Sequence, residues 1–393
     1  MIFLRTYKGR SATDVKLALE ELWKVYRLIR KGKLPSSNIT VPSGNLSVLV
    51  GFGPTIFQLN GMKKSVPENF VQFLPSERGG ILVEGCGIKY SRDHPTNLGL
   101  KEAVAIQVIS DSQLPVYRAI VETWKHIQAT RRENVLRFSK FYTGFQRNDG
   151  RSWLGFHDEI SNLKNFKERQ EAIFINPSRN DLSLADHWTT GGTYMVFLRT
   201  EINLMAWEKI QIERQELIVG RDKESGMPIF GLDRNGRPVH LARFTKKYRK
   251  NDSKYVNHPD YFMLQDIPRG IKQNLDLVAS TRTMSQSHIG RVRHIDGMSS
   301  GLPSSRRIYR HGFEFIEPSN YKNSNKPRVG LNFISFQNDP SRVLFILTDQ
   351  NWMGNTNFGG NKSSLPNLLS ILSSGIFYIP PLEMPFPGAS VFR

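Results

Sequence analysis

The stretch TYMVFLR, Thr193–Arg199, decides the fold, because it opens a series of strand and helix patterns that the chain contains twice. Its aromatic, β-branched and long apolar side chains are typical of a β-strand. A helical pattern follows over Asn203–Leu217, and strand patterns come next at Arg307–Ile316 and Val329–Phe336. We therefore expect this half of the chain to combine helices with a sheet.

A second helix and a last strand complete the series. Asp339 and Pro340 have the preferences of an N-cap residue and of a first helical residue, and the helical pattern runs to about Gln350. The residues Ile376–Ile379 form the closing strand pattern. The predicted order is β-α-β-β-α-β, which is the ferredoxin-like or split βαβ plan.

The first half of the chain carries the same series. One helix starts at Ser11 and stops at Gly32, and another runs from Pro115 to about Gln128. The strand patterns are Ile2–Tyr7, Leu46–Phe52, Ala103–Ile109 and Asn134–Tyr142. The order of elements is therefore repeated.

The repeat predicts an α+β protein in which two ferredoxin-like units pack together. We expect residues 1–150 to form the N-terminal unit and residues 151–393 to form the C-terminal unit. Long polar stretches with Gly and Pro, notably 144–192 and 220–304, separate the elements. Loops of this length are usually functional or disordered, so the second unit is the expected place for a site.

The composition excludes several classes of protein. With 39% hydrophobic and 23% charged residues in 393, the chain is typical of globular proteins. A single cysteine, Cys86, excludes an intrachain disulfide, covalent haem attachment through CxxCH and a thiolate zinc cluster. Neither a signal peptide nor an apolar run near the roughly 20 residues of a membrane span is visible. We expect a cytoplasmic protein without a membrane association.

The net charge of +19 at pH 7 predicts attraction to anions, whether nucleic acid, acidic lipid or small molecules. The basic residues are spread along the chain, with one local concentration at Arg243–Lys250 (RFTKKYRK). A solvated basic surface is favoured over a nucleic-acid groove, because no nucleic-acid-binding module is recognisable.

The stretch GFHDEISN, residues 155–162, is the first candidate site segment, with the adjacent acids Asp158 and Glu159. Taken alone, it is either a loop with two solvated acids or a loop that holds one acid in a pocket. Two further candidates lie in other segments: His288 in SQSHIGRVRHID and Arg310 in RRIYRHGFEF. The histidines have no HExxH spacing, so a multi-ligand metal site is not indicated. An acid, a single imidazole and a strand arginine suit a haem site, which needs one axial imidazole and a polar opposite face.

These segments resemble those of the dye-decolorising peroxidases, haem enzymes with a duplicated ferredoxin-like fold. GFHDEISN is similar to the GxxDG motif of that family, SHIGRVRH to the segment with the proximal histidine, and RRIYRHGFEF to the strand with the distal arginine. VGFGPTIF, GGTYMVFLR and GLNFISFQNDPSRVLFIL resemble further core segments in the same order. The resemblance covers about residues 45 to 381.

The resemblance implies a role for each candidate. Asp158 would move a proton from the inner to the outer oxygen of hydrogen peroxide, and Arg310 would stabilise the negative charge on the peroxide. His288 would be the axial ligand of haem b. Further cofactor contacts are expected from Gly155, Phe156, Glu159, Arg291 and Arg293, the two arginines as partners of the haem propionates.

Two departures from the family pattern bear on activity. Glu159 replaces the second glycine of the motif, and Gly290 stands where the family often has an arginine. For His157 and His311, which flank the proposed distal pair, hydrogen bonding or exposure is favoured over direct catalysis. Candidates for surface electron transfer are Trp153, Trp188, Trp207, Tyr309 and Trp352.

The predicted function is a peroxidase that reduces hydrogen peroxide and oxidises small phenolic or anionic dye-like reductants. One alternative is a non-catalytic haem-binding or haem-handling protein on the same fold, with Glu159 as the mark of lost catalysis. Another is a basic nucleic-acid-associated protein. Whether the chain forms a homo-oligomer stays open.

Overall fold

A computed structural model describes most of the chain. The described residues are 1–35, 37–68, 76–78, 81–84, 87–89, 96–97, 102–129, 134–158, 162–163, 165–177, 184–224, 226, 228–232, 235, 238–240, 287–292, 307–318, 326–348 and 368–393.

Among the described residues, eight strands form one antiparallel sheet. In chain order they are β1 (Ile2–Thr6), β2 (Ser47–Phe52), β3 (Val104–Ile109), β4 (Leu136–Phe141), β5 (Thr193–Ile202), β6 (Tyr309–Glu317), β7 (Arg328–Gln337) and β8 (Leu369–Ile379). Their order across the sheet is β4-β1-β3-β2-β8-β5-β7-β6. A ninth, two-residue strand, Thr96–Asn97, pairs with β8 in the parallel direction. The predicted α+β class is therefore confirmed.

The strand order is the same in the two halves of the sheet. Within each half the fourth strand lies beside the first, followed by the third and the second. The halves meet where β8 pairs with β2, at Tyr378 opposite Phe52.

Seven helices accompany the sheet among the described residues. They are α1 (Ala12–Arg30), α2 (Gln113–Ala129), α3 (Phe166–Ile173), α4 (Leu204–Glu208), α5 (Ile212–Val219), α6 (His288–Val292) and α7 (Ser341–Thr348). Three 3-10 segments lie at Pro54–Gln58, Leu184–Thr189 and Ala389–Phe392. Short strands outside the main sheet are Lys33–Leu34, Ser37–Thr40, Ser76–Arg78, Ile81–Glu84, Gly87–Lys89, Phe230–Leu232 and Pro238–His240.

The prediction of one continuous helix over Asn203–Leu217 was wrong. The pattern over Asn203–Leu217 forms two helices, α4 and α5, with a break between Glu208 and Ile212. The side-chain amide of Gln215 donates to the carbonyl oxygens of Trp207 (3.0 Å) and Ile210 (2.8 Å). This buried side chain satisfies carbonyl groups that a continuous helix would have bonded along its own backbone.

Helix α7 begins as predicted. The Asp339 carboxylate accepts a hydrogen bond from the Ser341 backbone N–H at 2.8 Å, as an N-terminal capping side chain does. The predicted end at Gln350 lies outside the described residues. Within the described part of the chain, no helix has the length and apolar character needed to cross a membrane.

The side chains of β6 alternate between two faces of the sheet, and one of these faces lines the site. Successive side chains of a strand point to opposite faces, so Arg310 and Glu314 share one face while Tyr309, His311 and Phe313 share the other. The second face packs against α3, where the Arg169 guanidinium lies 5.0 Å from the centre of the Tyr309 ring. The first face is left to a cavity.

Candidate functional site

A cavity lies on one face of the second half of the sheet, beneath helices α5, α6 and α7 and beside the loop at 152–158. The interior volume open to water is about 220 Å³. Most of the wall is apolar and comes from several elements, for example Phe156, Leu198, Ile289, Leu331, Phe333 and Ile346. Charged and polar side chains converge on the same space, which is the usual character of a small-molecule site.

Three of the residues predicted as a site line this cavity together: Asp158, His288 and Arg310. They come from the 152–158 loop, from α6 and from β6, so only the tertiary fold brings them together. His288 and Arg310 follow Asp158 by at least 130 residues in the sequence, yet all three line the same cavity.

Asp158 and Arg310 form an ion pair between Asp158 Oδ1 and a terminal nitrogen of the guanidinium. The carboxylate lies over Gly312, where an added Cβ would stand 2.7 Å from Asp158 Oδ2. Any side chain at position 312 would therefore displace the acid. The missing side chain lets Asp158 sit directly on the strand that carries its partner.

The loop before Asp158 is held by its own backbone and by Arg151. Gly155 has φ +83°, a left-handed conformation that favours glycine, and an added Cβ would lie 2.6 Å from Lys223 Cε. Arg151 donates to the carbonyl oxygens of Gly155 and Lys223, both at 2.7 Å. The Asp158 N–H donates to the carbonyl oxygen of Gly150 at 2.9 Å. Gly155 thus shapes the loop, while its neighbour Phe156 faces the cavity.

Asn162 fixes the other end of this segment to β6. Its side-chain amide donates to the Arg310 carbonyl oxygen at 2.7 Å, and its side-chain oxygen accepts from the Arg310 N–H at 3.1 Å. This two-point contact copies a sheet hydrogen-bond pair, so it orients the backbone that carries Arg310. Sequence reasoning did not assign Asn162 a role, although it closes the GFHDEISN stretch.

His288 is the first residue of α6 and lines the cavity with Ile289 and Val292 of the same helix. The turn is closed by Ser287, whose hydroxyl oxygen accepts from the Gly290 N–H at 3.0 Å. His157 also lines the cavity, and its Nε2 lies 3.1 Å from the Glu224 carbonyl oxygen. Burial, with the nearby positive charge of Arg151, lowers the pKa of His157.

Glu314 is a cavity residue that sequence reasoning missed. The residue is only 4% exposed, and its Oε1 accepts from the Trp153 backbone N–H at 3.0 Å. Its Oε2 is buried and meets no hydrogen-bond partner among the described residues. Burial raises the pKa of Glu314 to about 8, and the negative charge of Asp158 adds to the shift. The signal in the sequence was its spacing, four residues after Arg310 on the same strand face.

Two further arginines, Arg221 and Arg307, bring positive charge to the cavity wall. Arg221 is buried and donates to the Gly226 carbonyl oxygen at 2.6 Å. Arg307 lies 3.3 Å from the Glu168 carboxylate. With Arg310, these side chains make the cavity suited to a ligand that has an apolar body and negative groups.

The remaining predicted residues divide between described and undescribed parts of the chain. His311 lies on the face of β6 away from the cavity, with its Nε2 3.0 Å from the Tyr309 hydroxyl, and burial lowers its pKa. Glu159, Arg293 and Trp352 lie outside the described residues, as does the Arg291 side chain.

The cavity fits haem by the chemistry of its donors. Two imidazoles, those of His157 and His288, line a mostly apolar cavity, and an imidazole is a protein ligand that haem iron takes in many proteins. Arg221 and Arg307 could bind the propionates of a haem, and the same wall carries the acid Asp158 with the cation Arg310. The lining residues therefore fit haem by their chemistry.

Comparison with known proteins gives a consistent relationship. The family model described as Dyp-type peroxidase, C-terminal, matches residues 149–384. The crystal structure of a DyP-type peroxidase from Cellulomonas bogoriensis has a TM-score of 0.65 at 17% identity, over 100% of this chain and 92% of that chain. Ferric DtpA from Streptomyces lividans has a TM-score of 0.66 at 18% identity, over 100% of this chain and 91% of that chain. At these identities the two structures establish the fold alone.

The curated relatives match a shorter part. The deferrochelatases of Escherichia coli (strain K12) and Shigella sonnei (strain Ss046) are 24% identical over 132 residues, which is 32% of this chain and 30% of each relative. The chain therefore aligns with less than a third of the length of these relatives.

Proposed function

The chain belongs to the Dyp-type peroxidase family, and on this premise we propose that it is a haem-dependent peroxidase. It reduces hydrogen peroxide and oxidises phenolic or anionic dye-like reductants. The observation that carries the proposal is the meeting of Asp158, Arg310 and His288 on one apolar cavity.

His288 would hold the iron of haem b, and Arg221 and Arg307 would bind its propionates together with Arg291 and Arg293. When bound, the haem supplies the iron that receives the peroxide and the electrons that break the O–O bond. Phe156 and the other apolar walls exclude bulk water and hold the flat ring in place.

Asp158 handles the proton that the peroxide already carries. As the ion-pair partner of Arg310, it is a carboxylate that accepts a proton from the inner peroxide oxygen and returns it to the outer one, so that the outer oxygen leaves as water. Arg310 keeps its charge throughout and stabilises the negative charge that develops on the peroxide. Asn162 keeps Arg310 in place through the two backbone hydrogen bonds.

The fold supports the same assignment at a larger scale. We interpret residues 1–150 and 151–393 as two ferredoxin-like units, because their strand orders agree and each has a helix after its first strand and another before its last. Under this interpretation the haem belongs to the second unit, whose sheet face lines the cavity.

The direct test is reconstitution of the purified chain with haem, followed by hydrogen peroxide with and without a phenolic reductant. We expect peroxide consumption to require haem and to be accompanied by one-electron oxidation of the phenol. A haem-loaded protein that consumes no more peroxide than free haem at the same concentration would overturn the proposal.

A second candidate is haem handling without peroxide turnover, including removal of iron from the porphyrin. It is favoured by the relatives named deferrochelatase. The two functions give different products from the same haem-loaded protein: metal-free porphyrin in one case, and oxidised phenol in the other. Absorbance and fluorescence spectra of the porphyrin after incubation with and without peroxide therefore distinguish them.

A further inference from the structure

We propose that Glu314 is a second acid in the cavity, protonated in the resting protein, which donates a proton to peroxide-derived oxygen as that oxygen becomes water. This inference rests on the proposed peroxidase function and adds to it a residue that the family's Asp–Arg pair does not include.

The position of Glu314 is the first support. It lies two residues beyond Gly312, over which the Asp158 carboxylate sits, and four beyond Arg310 on the same strand. It lines the same cavity as Asp158 and Arg310. A proton on Glu314 is therefore held beside the pair that acts on the peroxide.

The hydrogen bonding of the carboxyl group is the second support. A carboxylate offers about four acceptor sites, and an ionised one that is buried needs them satisfied. Glu314 has the Trp153 N–H on Oε1, while Oε2 meets no partner within the described part of the chain. A neutral carboxylic acid fits this environment better than a carboxylate, because burying an unsatisfied neutral group costs far less than burying an unsatisfied charge.

The charged groups around Glu314 favour the same state. Burial is the largest cause and raises the pKa of Glu314, and the negative charges of Asp158 and Asp149 add to this effect. The Trp153 hydrogen bond and the positive charge of Arg147 oppose it, and the pKa is about 8. Arg310 shares the strand face but is already paired with Asp158. Asp149 and Arg147 form an ion pair that is partly exposed, and the Arg147 guanidinium lies 5.1 Å from the centre of the Trp153 ring. Because this charged pair is near Glu314 and in contact with solvent, a proton can return from the solvent to Glu314 on this side.

The proton balance of the reaction leaves a task for this acid. Reduction of one peroxide to two waters consumes two electrons and two protons beyond those that the peroxide carries. Two phenols supply them, each losing one electron and one proton to become a phenoxyl radical. Asp158 only moves a proton within the peroxide, so the additional protons need another donor in the cavity. Glu314 gives its proton to the oxygen and regains one from the solvent that received the phenol's proton.

The test compares Glu314→Gln, which keeps shape and removes titration, with Glu314→Asp, which keeps an acid. Glu122→Gln is the matched control, because Glu122 is also a buried glutamate but lies on α2, away from the cavity. Two properties are measured on the haem-loaded proteins across the pKa of about 8. One is the steady-state rate of peroxide-dependent phenol oxidation, and the other is the infrared carbonyl band of a protonated carboxylic acid.

We expect Glu314→Gln to lower the turnover number by about 10²-fold, the low end for loss of a general acid. The wild-type rate falls above the pKa of Glu314, and this alkaline limb disappears in the glutamine variant. The carbonyl band that titrates there is absent from Glu314→Gln, and Glu314→Asp recovers part of the rate. Glu122→Gln resembles the wild type in both measurements.

Either of two results overturns the inference. One is a rate and pH profile of Glu314→Gln equal to those of the wild type, and the other is a carbonyl band unchanged by the substitution. If the wild type itself turns over no peroxide, the proposed function fails and the catalytic role of Glu314 falls with it. A carbonyl band that is present in the wild type and absent from Glu314→Gln would then mark Glu314 as a buried acid without a catalytic role.

Discussion

At the scale of single residues, the cavity contains two carboxyl groups, those of Asp158 and Glu314, that have different surroundings. Asp158 has a guanidinium partner, whereas Glu314 is buried and has one backbone donor. Such differences allow two acids in one site to hold different charges at the same pH. An acid paired with a guanidinium beside an acid whose pKa is raised is the main chemical feature of this site.

Asp158→Asn tests the role of the charged acid. The amide retains the size of the side chain but no longer accepts a proton, so peroxide-dependent turnover is expected to fall by about 10²–10⁴-fold with haem binding unchanged. Glu159→Gln, at the neighbouring position, is expected to have a much smaller effect. Stopped-flow mixing of the haem-loaded variants with peroxide gives the rates, and equal rates for wild type and Asp158→Asn would contradict the assignment.

Glu314 also predicts how stability changes with pH. The folded state keeps its proton up to about pH 8, whereas the unfolded chain releases it near the ordinary value of 4.5. The raised pKa of Glu314 therefore contributes fully to stability below pH 4.5, and this contribution is lost as pH rises through about 8.

The free energy of unfolding of the wild type, relative to Glu314→Gln, should accordingly fall across that interval. Denaturant titrations of both proteins at several pH values measure the difference, and subtraction removes the contributions of His157 and His311. A difference that does not change with pH would show that Glu314 titrates normally.

At the scale of elements, the site depends on how a loop is attached to β6. Asn162 makes both hydrogen bonds to the Arg310 backbone, and Gly312 leaves room for Asp158. The strand therefore serves as a template on which a loop places its acid. Loss of either feature should displace Asp158 or Arg310 while leaving both residues in place in the sequence.

Asn162→Ala removes the two hydrogen bonds to Arg310 at once. At about 0.5–1.5 kcal/mol for each bond, we expect the free energy of unfolding to fall by about 1–3 kcal/mol. Turnover should also fall, because Arg310 is no longer oriented, while the bound haem content stays close to that of the wild type. Denaturation and turnover measured on the same preparation test this, and an unchanged turnover would remove Asn162 from the positioning of Arg310.

The sequence predicted the elements better than their contacts. The β8 pattern was confined to Ile376–Ile379, but the strand starts at Leu369, because Ser370, Ser373 and Ser374 pair with β5 without contributing an apolar signal. The split between α4 and α5 depends on the Gln215 side chain, which folds back over carbonyl groups. Such contacts are tertiary and leave no periodic mark.

The candidate site shows the same limit. Asp158 and Arg310 were selected by their segments, and their pairing needed the fold. Asn162 and Glu314 were missed because an amide at the end of a loop and an acid in a strand are common on protein surfaces and do not by themselves indicate a site. Their importance follows from what they touch.

At the scale of the whole molecule, the net charge of +19 at pH 7 should act on encounter with reductants. An anionic dye is attracted over the distance set by salt screening, roughly 10 Å at 0.1 M, and a neutral phenol is not. We expect kcat/KM for an anionic dye to fall several-fold as ionic strength rises, with little change for a neutral phenol. Parallel salt series with the two reductants test this, and equal dependence would exclude electrostatic steering.

The measurement that tests the central claim most directly is a haem titration of the wild type, His288→Ala and the control His126→Ala, whose histidine lies on α2 outside the cavity. We predict that wild type and His126→Ala bind one haem per chain with the absorbance of a histidine-ligated iron. His288→Ala should lose most of the bound haem or the spectrum of that ligation. Full occupancy with an unaltered spectrum in His288→Ala would contradict the account.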